Sequence, residues 1–156
     1  MTKSDVRIVT SIKGLEKLKE YINNYIKEHS YNRELTNILD NPDLKYESNR
    51  QCYLGWNNYN WNEYSNENVE LVMNGLFELA DNNYSYRFYR LGEEKDEYEE
   101  YSYTSTLEGE EDLEYPNITR QFDDRYVCDV LHREKQNADL SKEDFDYEWC
   151  IWGNIK

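Results

Sequence analysis

Carboxylates dominate one stretch of this chain. Residues 93–114 hold Glu93, Glu94, Asp96, Glu97, Glu99, Glu100, Glu108, Glu110, Glu111, Asp112 and Glu114 against a single base, Lys95. The stretch carries −10 of a total charge of −15. Tyr98, Tyr101 and Tyr103 are threaded through it, and Tyr115 follows. An acidic run without aromatics is a solvated tail. Tyrosines give such a run apolar bodies with which to fold, each keeping a polar tip in water. The chemistry on offer is negative charge displayed at close spacing. Folded back as two strand-like legs, the stretch would be roughly 36 Å long at about 3.3 Å per residue. Its ten net charges would then fall about 3.6 Å apart, close to the about 3.4 Å between phosphates of one nucleic-acid strand. A solvated acidic loop is the plainer alternative.

Other chemistry for the same carboxylates is weakly specified. A calcium loop needs D-x-[DN]-x-[DN]-G spacing with a glutamate at its twelfth position, and 93–114 lacks it. A general acid and base need two carboxylates in contrasting surroundings, and here any pair could be chosen. Cys128 and His132 stand four apart, which puts both on one face of a helix or a strand, as a zinc pair requires. A buried cysteine beside a surface histidine accounts for them equally. No Gly-rich phosphate loop, G-x-S-x-G or H-E-x-x-H occurs. The expectation is a protein that is not an enzyme and takes no metal and no cofactor.

A second aromatic group lies in 55–64, where Trp56, Tyr59, Trp61 and Tyr64 crowd a segment with no Lys or Arg between Gln51 and Tyr86. The missing bases disfavour stacking on nucleic acid. Either Trp56 and Trp61 pin a loop to the core, or they form a protein-binding hot spot. The candidate partner-binding set is therefore Glu93, Glu94, Asp96, Glu97, Tyr98, Glu99, Glu100, Tyr101, Glu108, Glu110, Glu111, Asp112 and Glu114, with Trp56 and Trp61.

The elements that must position these residues follow from periodicity. Residues 6–12 are β-prone, and Ser11 can cap what comes next. Leu15, Leu18, Ile22, Tyr25 and Ile26 form one stripe of a helix over 13–29. A short helix can occupy 31–40 until Pro42 stops it. Residues 51–56 read as a strand. Ser65 or Asn66 can cap a second helix, in which Val69, Val72, Met73, Leu76, Phe77 and Ala80 keep helical spacing. Residues 84–91 and 98–105 read as antiparallel strands about a turn at 92–96. An acidic loop follows, then a strand over 125–131, a helical turn over 140–145 and a strand over 146–152. Helices first and consecutive strands afterwards indicate an α+β fold. The expectation is one domain over 1–156. It has an antiparallel sheet with the two main helices on one face, a partly open, tyrosine-rich face opposite, and an acidic hairpin at 93–114.

Composition bounds the partners. At 156 residues the prior is one domain. Sixteen Tyr and four Trp supply core area that a lean aliphatic content does not. No basic footprint for DNA or RNA is present, and an anionic membrane would repel the chain. A basic nucleic-acid-binding protein would attract it. Cys52, Cys128 and Cys150 are odd in number and give no disulfide framework, so a reducing cytoplasm is expected. The start carries no signal-like apolar stretch.

A small, acidic, Tyr- and Asn-rich chain without an enzyme motif resembles phage and mobile-element proteins that block host defence, of the anti-CRISPR and anti-restriction type. The segment YRFYRLGEEKDEYEEY, 86–101, is also similar to a pattern in uncharacterised phage proteins of Firmicutes. The resemblance implies a stoichiometric inhibitor of a bacterial defence nuclease, a CRISPR effector above all, acting in the cytoplasm of the host cell. It carries over no catalytic residue. An acidic immunity protein or antitoxin that neutralises a basic toxin nuclease would have the same signature.

Overall fold

The computed structural model describes residues 3–94, 97–107, 110, 113–118 and 122–138. Its organising element is β1 (Ser4–Ser11), buried along nearly its whole length because both of its faces are covered. Strand alternation puts Val6, Ile8 and Thr10 on one face and Arg7, Val9 and Ser11 on the other. Around it lie β2 (Leu44–Glu47), β3 (Gln51–Tyr59), β4 (Tyr86–Leu91) and β5 (Tyr98–Tyr103), in the order β2-β3-β1-β4-β5. Every neighbouring pair is antiparallel.

The Val6 face packs against α1 (Ile12–Glu28) and α2 (Glu67–Asp81). Leu15, Leu18 and Ile22 of α1 and Val72 and Leu76 of α2 meet Ile8, Leu54, Trp56 and Phe88 of the sheet. Both helix starts use the expected caps. Ser11 accepts from the amide of Gly14, and Asn66 from those of Asn68 and Val69. The α+β class, the antiparallel sheet and the placement of two main helices on one face are as the sequence indicated.

The opposite face differs from expectation. Residues 125–131 are not a strand but the first half of α3 (Arg125–Ala138). Val127, Cys128 and Leu131 fall on one helical stripe and close over Val9, Leu44, Tyr46 and Tyr53. That face is therefore covered over β1, β2 and β3, where Tyr46 and Tyr53 are core, and stays open at β5, where Tyr98 is 42% exposed. Cys128 is disulfide-bonded, against the expectation of no disulfide, while Cys52 is a buried free thiol. Burial pushes the Cys52 thiol up to about 12, which keeps it protonated.

Arg7 anchors α3. Its Nε is 2.8 Å and its Nη2 3.1 Å from the two oxygens of Asp124. Tyr53 donates to the same carboxylate. Gly55 lies opposite Arg7 in the β1–β3 register. A Cβ at Gly55 would stand 2.9 Å from two atoms of the Arg7 side chain, so the glycine makes room for the guanidinium.

Smaller differences have local causes. Residues 31–40 yield only a 3-10 turn at Ile38–Asp40. The β2 strand was not anticipated, being four residues with Leu44 and Tyr46 buried and Lys45 and Glu47 exposed. Residues 55–59 continue β3 instead of forming a loop. A two-residue pair, β6 (Asn117–Ile118) with β7 (Phe122–Asp123), precedes α3. The elements expected at 140–145 and 146–152 lie outside the described residues. No helix among the described residues is long and apolar enough to cross a membrane.

Candidate functional site

The acidic segment is positioned by the β4–β5 hairpin. Phe88 pairs with Tyr101, Arg90 with Glu99 and Leu91 with Tyr98. The turn closes through Gly92 N–H to Glu97 C=O at 2.7 Å and Glu97 N–H to Glu94 C=O at 3.1 Å. A Cβ at Gly92 would lie 2.1 Å from the Glu97 carboxylate, so only glycine lets that side chain fold over the turn. Glu93 accepts the backbone amide of Lys3 at 2.7 Å.

Alternation along β5 divides the charge. Glu99 and Tyr101 point to the α1/α2 face, and Tyr98 and Glu100 to the other. Arg90 neutralises one side: its Nε is 2.9 Å from Glu99 and its Nη1 3.8 Å from Glu97. Tyr98, Glu100 and Tyr101 are exposed. The Tyr98 hydroxyl is pushed up to about 12 by burial, then by the charge and hydrogen bond of Glu100. Tyr101 is raised as well, first by Glu99, then by burial, with Glu63 adding to the negative field. Both tyrosines stay neutral donors at physiological pH beside a negative surface.

Among the described residues, the second acidic half does not pair with the first. The partner of β5 is β4, and the described residues 104–107, 110 and 113–116 belong to no strand. Glu110 is only 4% exposed. It accepts from Ser11 Oγ at 2.8 Å and from the Ser85 amide at 3.0 Å. Leu113 is core on the α3 face, and the Glu114 amide donates to Gln51 Oε1 at 2.9 Å. The two-legged acidic ladder expected for 93–114 is thus corrected: Glu110 is a buried structural acceptor, and Glu114 is half-buried and tied down through its backbone amide. Asp96, Glu108, Glu111 and Asp112 lie outside the described residues.

Trp56 and Trp61 are also corrected as surface candidates. Trp56 is 1% exposed, and Trp61 is buried. The rings stack at a tilt 5.4 Å apart, and Trp61 continues onto Phe88 at 5.9 Å. They pin 55–61 to the core.

The structure adds residues that sequence reasoning did not assign. Tyr64 is 94% exposed and Phe77 45% exposed. Phe77 meets Tyr101 edge-on at 6.0 Å, and Tyr101 lies 5.8 Å from Phe88. An open cavity of about 360 Å³ lies between Trp61, Tyr64, Phe88, Glu63, Glu97 and Glu99. Spacing alone joins α2, the 60–66 loop and the hairpin to nothing in common, so only the fold reveals it. No group of three or more His, Cys, Asp or Glu suited to a metal ion occurs among the described residues.

No protein-family model matches the chain, and no curated protein or solved structure matches it. The functional reading therefore stands on the geometry of this surface.

Proposed function

We propose that this protein is a stoichiometric inhibitor that binds a basic, nucleic-acid-binding protein through the β4–β5 hairpin. The proposed target is a bacterial defence nuclease, a CRISPR effector in the first instance. The observation that carries the reading is the edge strand β5, on which Tyr98, Glu100 and Tyr101 are exposed in a chain of net charge −15. Tyrosine supplies contact area at low entropic cost, and the carboxylates supply attraction to a positive groove. Such attraction speeds encounter and fades with salt. The split of Glu99 and Glu100 between two faces supports a clamp on a basic surface better than a linear copy of phosphate spacing.

The test is a cleavage assay with purified effector nucleases and the full-length protein. Inhibition should saturate near one protein per nuclease. It should weaken when Glu94, Glu97 and Glu100 are together replaced by Gln. Turnover at a sub-stoichiometric ratio would mean an enzyme, and failure against every effector tried, with capture of a toxin nuclease instead, would assign the protein to immunity.

A further inference from the structure

The outer edge of β5 has an unusual combination of features. Among the described residues β5 pairs with β4 alone, so the backbone groups on its far side have no strand partner. Four of its six residues, Tyr98, Glu100, Tyr101 and Ser102, are exposed, and none is proline. Exposed edges recruit other strands unless something blocks them. Here the guard is charge. Two copies of this chain pairing β5 to β5 would bring Glu99 and Glu100 of each into one ladder, and like charges across a ladder repel. Glu99 is already bound to Arg90, so it is Glu100, exposed on the strand, that would favour a strand carrying Lys or Arg. The charge pattern therefore selects against self-association and for a basic segment.

The cavity beside Trp61 gives that segment an anchor. Its rim holds Glu63, Glu97 and Glu99 against the single cation Arg90, an excess of two negative charges. Its walls include the rings of Trp61, Tyr64 and Phe88. Aromatic faces with carboxylates at the rim suit a guanidinium or ammonium group. Glu99 lies on the β5 face that borders this cavity. A strand laid about 4.8 Å beyond β5 would direct alternate side chains to that same face.

We propose that the open edge of β5 accepts a basic extended segment of a partner protein as a sixth strand, with one arginine or lysine side chain entering the cavity beside Trp61. This rests on the reading of the hairpin as the partner-facing surface. Backbone pairing would supply affinity, and the cavity would set register and preference for a cation.

The experiment uses the full-length protein and a blocked seven-residue peptide of alternating Arg and Val. Its fully N-methylated analogue has the same charge and cannot donate backbone hydrogen bonds. The expected result is slowed amide exchange over 98–103 on adding the first peptide. The analogue should bind about tenfold more weakly or worse, as loss of several hydrogen bonds requires. Tyr64→Ala should weaken the first peptide by about threefold or more while leaving the fold intact, as loss of one cation–π wall implies. Equal binding of the two peptides, protection away from 98–103, or no binding at about millimolar peptide would overturn the proposal. Peptide pairing at β5 without inhibition of any nuclease would uphold the edge assignment and remove the inhibitor reading. Inhibition that depends on Glu94, Glu97 and Glu100 without peptide pairing would do the reverse.

Discussion

The Ser11 hydroxyl donates to the Glu110 carboxylate across 2.8 Å while its oxygen accepts the amide of Gly14. One acidic residue of the 93–114 run thus holds the N-cap of α1 at the end of the central strand. The same oxygen of Glu110 takes the amide of Ser85, just ahead of β4. Glu110 is a junction of the fold, whereas Glu100 faces solvent.

This contrast gives the first prediction. Glu110→Ala strands two buried donors and should cost about 1–3 kcal/mol. Glu100→Gln should change stability by less than about 0.5 kcal/mol, as exposed substitutions do. Urea melts of the two variants check both. Equal small effects would mean that Glu110 is as dispensable as its solvated neighbours.

The anchoring of α3 gives the second. Arg7 and Asp124 form a nearly buried pair, with side chains 4% and 11% exposed. Asp124→Ala leaves the guanidinium and the Tyr53 hydroxyl unpaired and should cost about 3–5 kcal/mol. Amide exchange of α3 should accelerate more than that of α2. Uniform acceleration would show that α3 is not held separately by this pair.

Much of the α1/α2 layer was legible because a 3.6-residue period, a polar cap and a closing Asn cluster all agree over 66–82. The strand pair 86–91 and 98–103 was legible for the same reason, since alternation and turn residues coincide. The miss at 125–131 came from weighing the β-branched Val127 and Val130 above spacing. Val127, Cys128 and Leu131 sit at i, i+1 and i+4, which is a helical stripe. Arg7 was unreadable as a core residue because its partner, Asp124, is 117 positions away. The acidic run misled at Glu110 and Glu114 because composition does not say which carboxylates turn inward. The cavity at Trp61 joins three distant segments, and no local pattern encodes it.

Two adjacent residues of α2 give the third prediction. Leu76 is fully buried, whereas Phe77, expected on the same core stripe, lies at its margin against Tyr101. Leu76→Ala should cost about 2–5 kcal/mol through lost burial and a cavity. Phe77→Ala should cost about 1 kcal/mol or less, because the ring is half in water. Denaturant midpoints with unchanged slope decide it, and a larger loss at Phe77 would place the core on the other side of the stripe.

The fourth concerns pH. Burial pushes the Glu134 carboxyl up, but hydrogen bonds from Gln51, Arg50 and Ser48 outweigh it and leave it lowered. Its stabilising contribution is present above the unfolded carboxylate value and is lost as pH falls through the folded one. Glu114 is raised, by burial first and then by the charge of Glu134. Its contribution has the opposite sign: full below the unfolded value and lost as pH rises through the folded one. Glu134→Gln should destabilise at pH 7 and flatten the acid limb of the stability curve. Glu114→Gln should hold or raise stability at pH 7. Thermal melts from about pH 3 to 7 span the carboxylate range and would contradict the assignment if both variants moved the same way.

The last prediction separates charge from packing in binding. Glu94 and Glu100 are exposed on the hairpin, and Glu97 is half-buried 3.8 Å from Arg90. Replacing all three by Gln removes three charges and keeps size. Binding to the target should weaken mainly through a slower on-rate, with a shallower dependence on salt. Stability should change little, because relieved repulsion among like charges offsets the loss of the long Arg90–Glu97 pair. Trp56→Ala is the contrasting variant. Its ring is in the core, so the change should cost about 3–5 kcal/mol and reduce binding only by unfolding the protein. Stopped-flow association at two salt concentrations, with circular dichroism on each variant, reads both effects. A folded Trp56→Ala protein that no longer binds, beside a triple-Gln protein that binds at the normal rate, would move the partner surface away from the hairpin and leave its carboxylates as solvated charge.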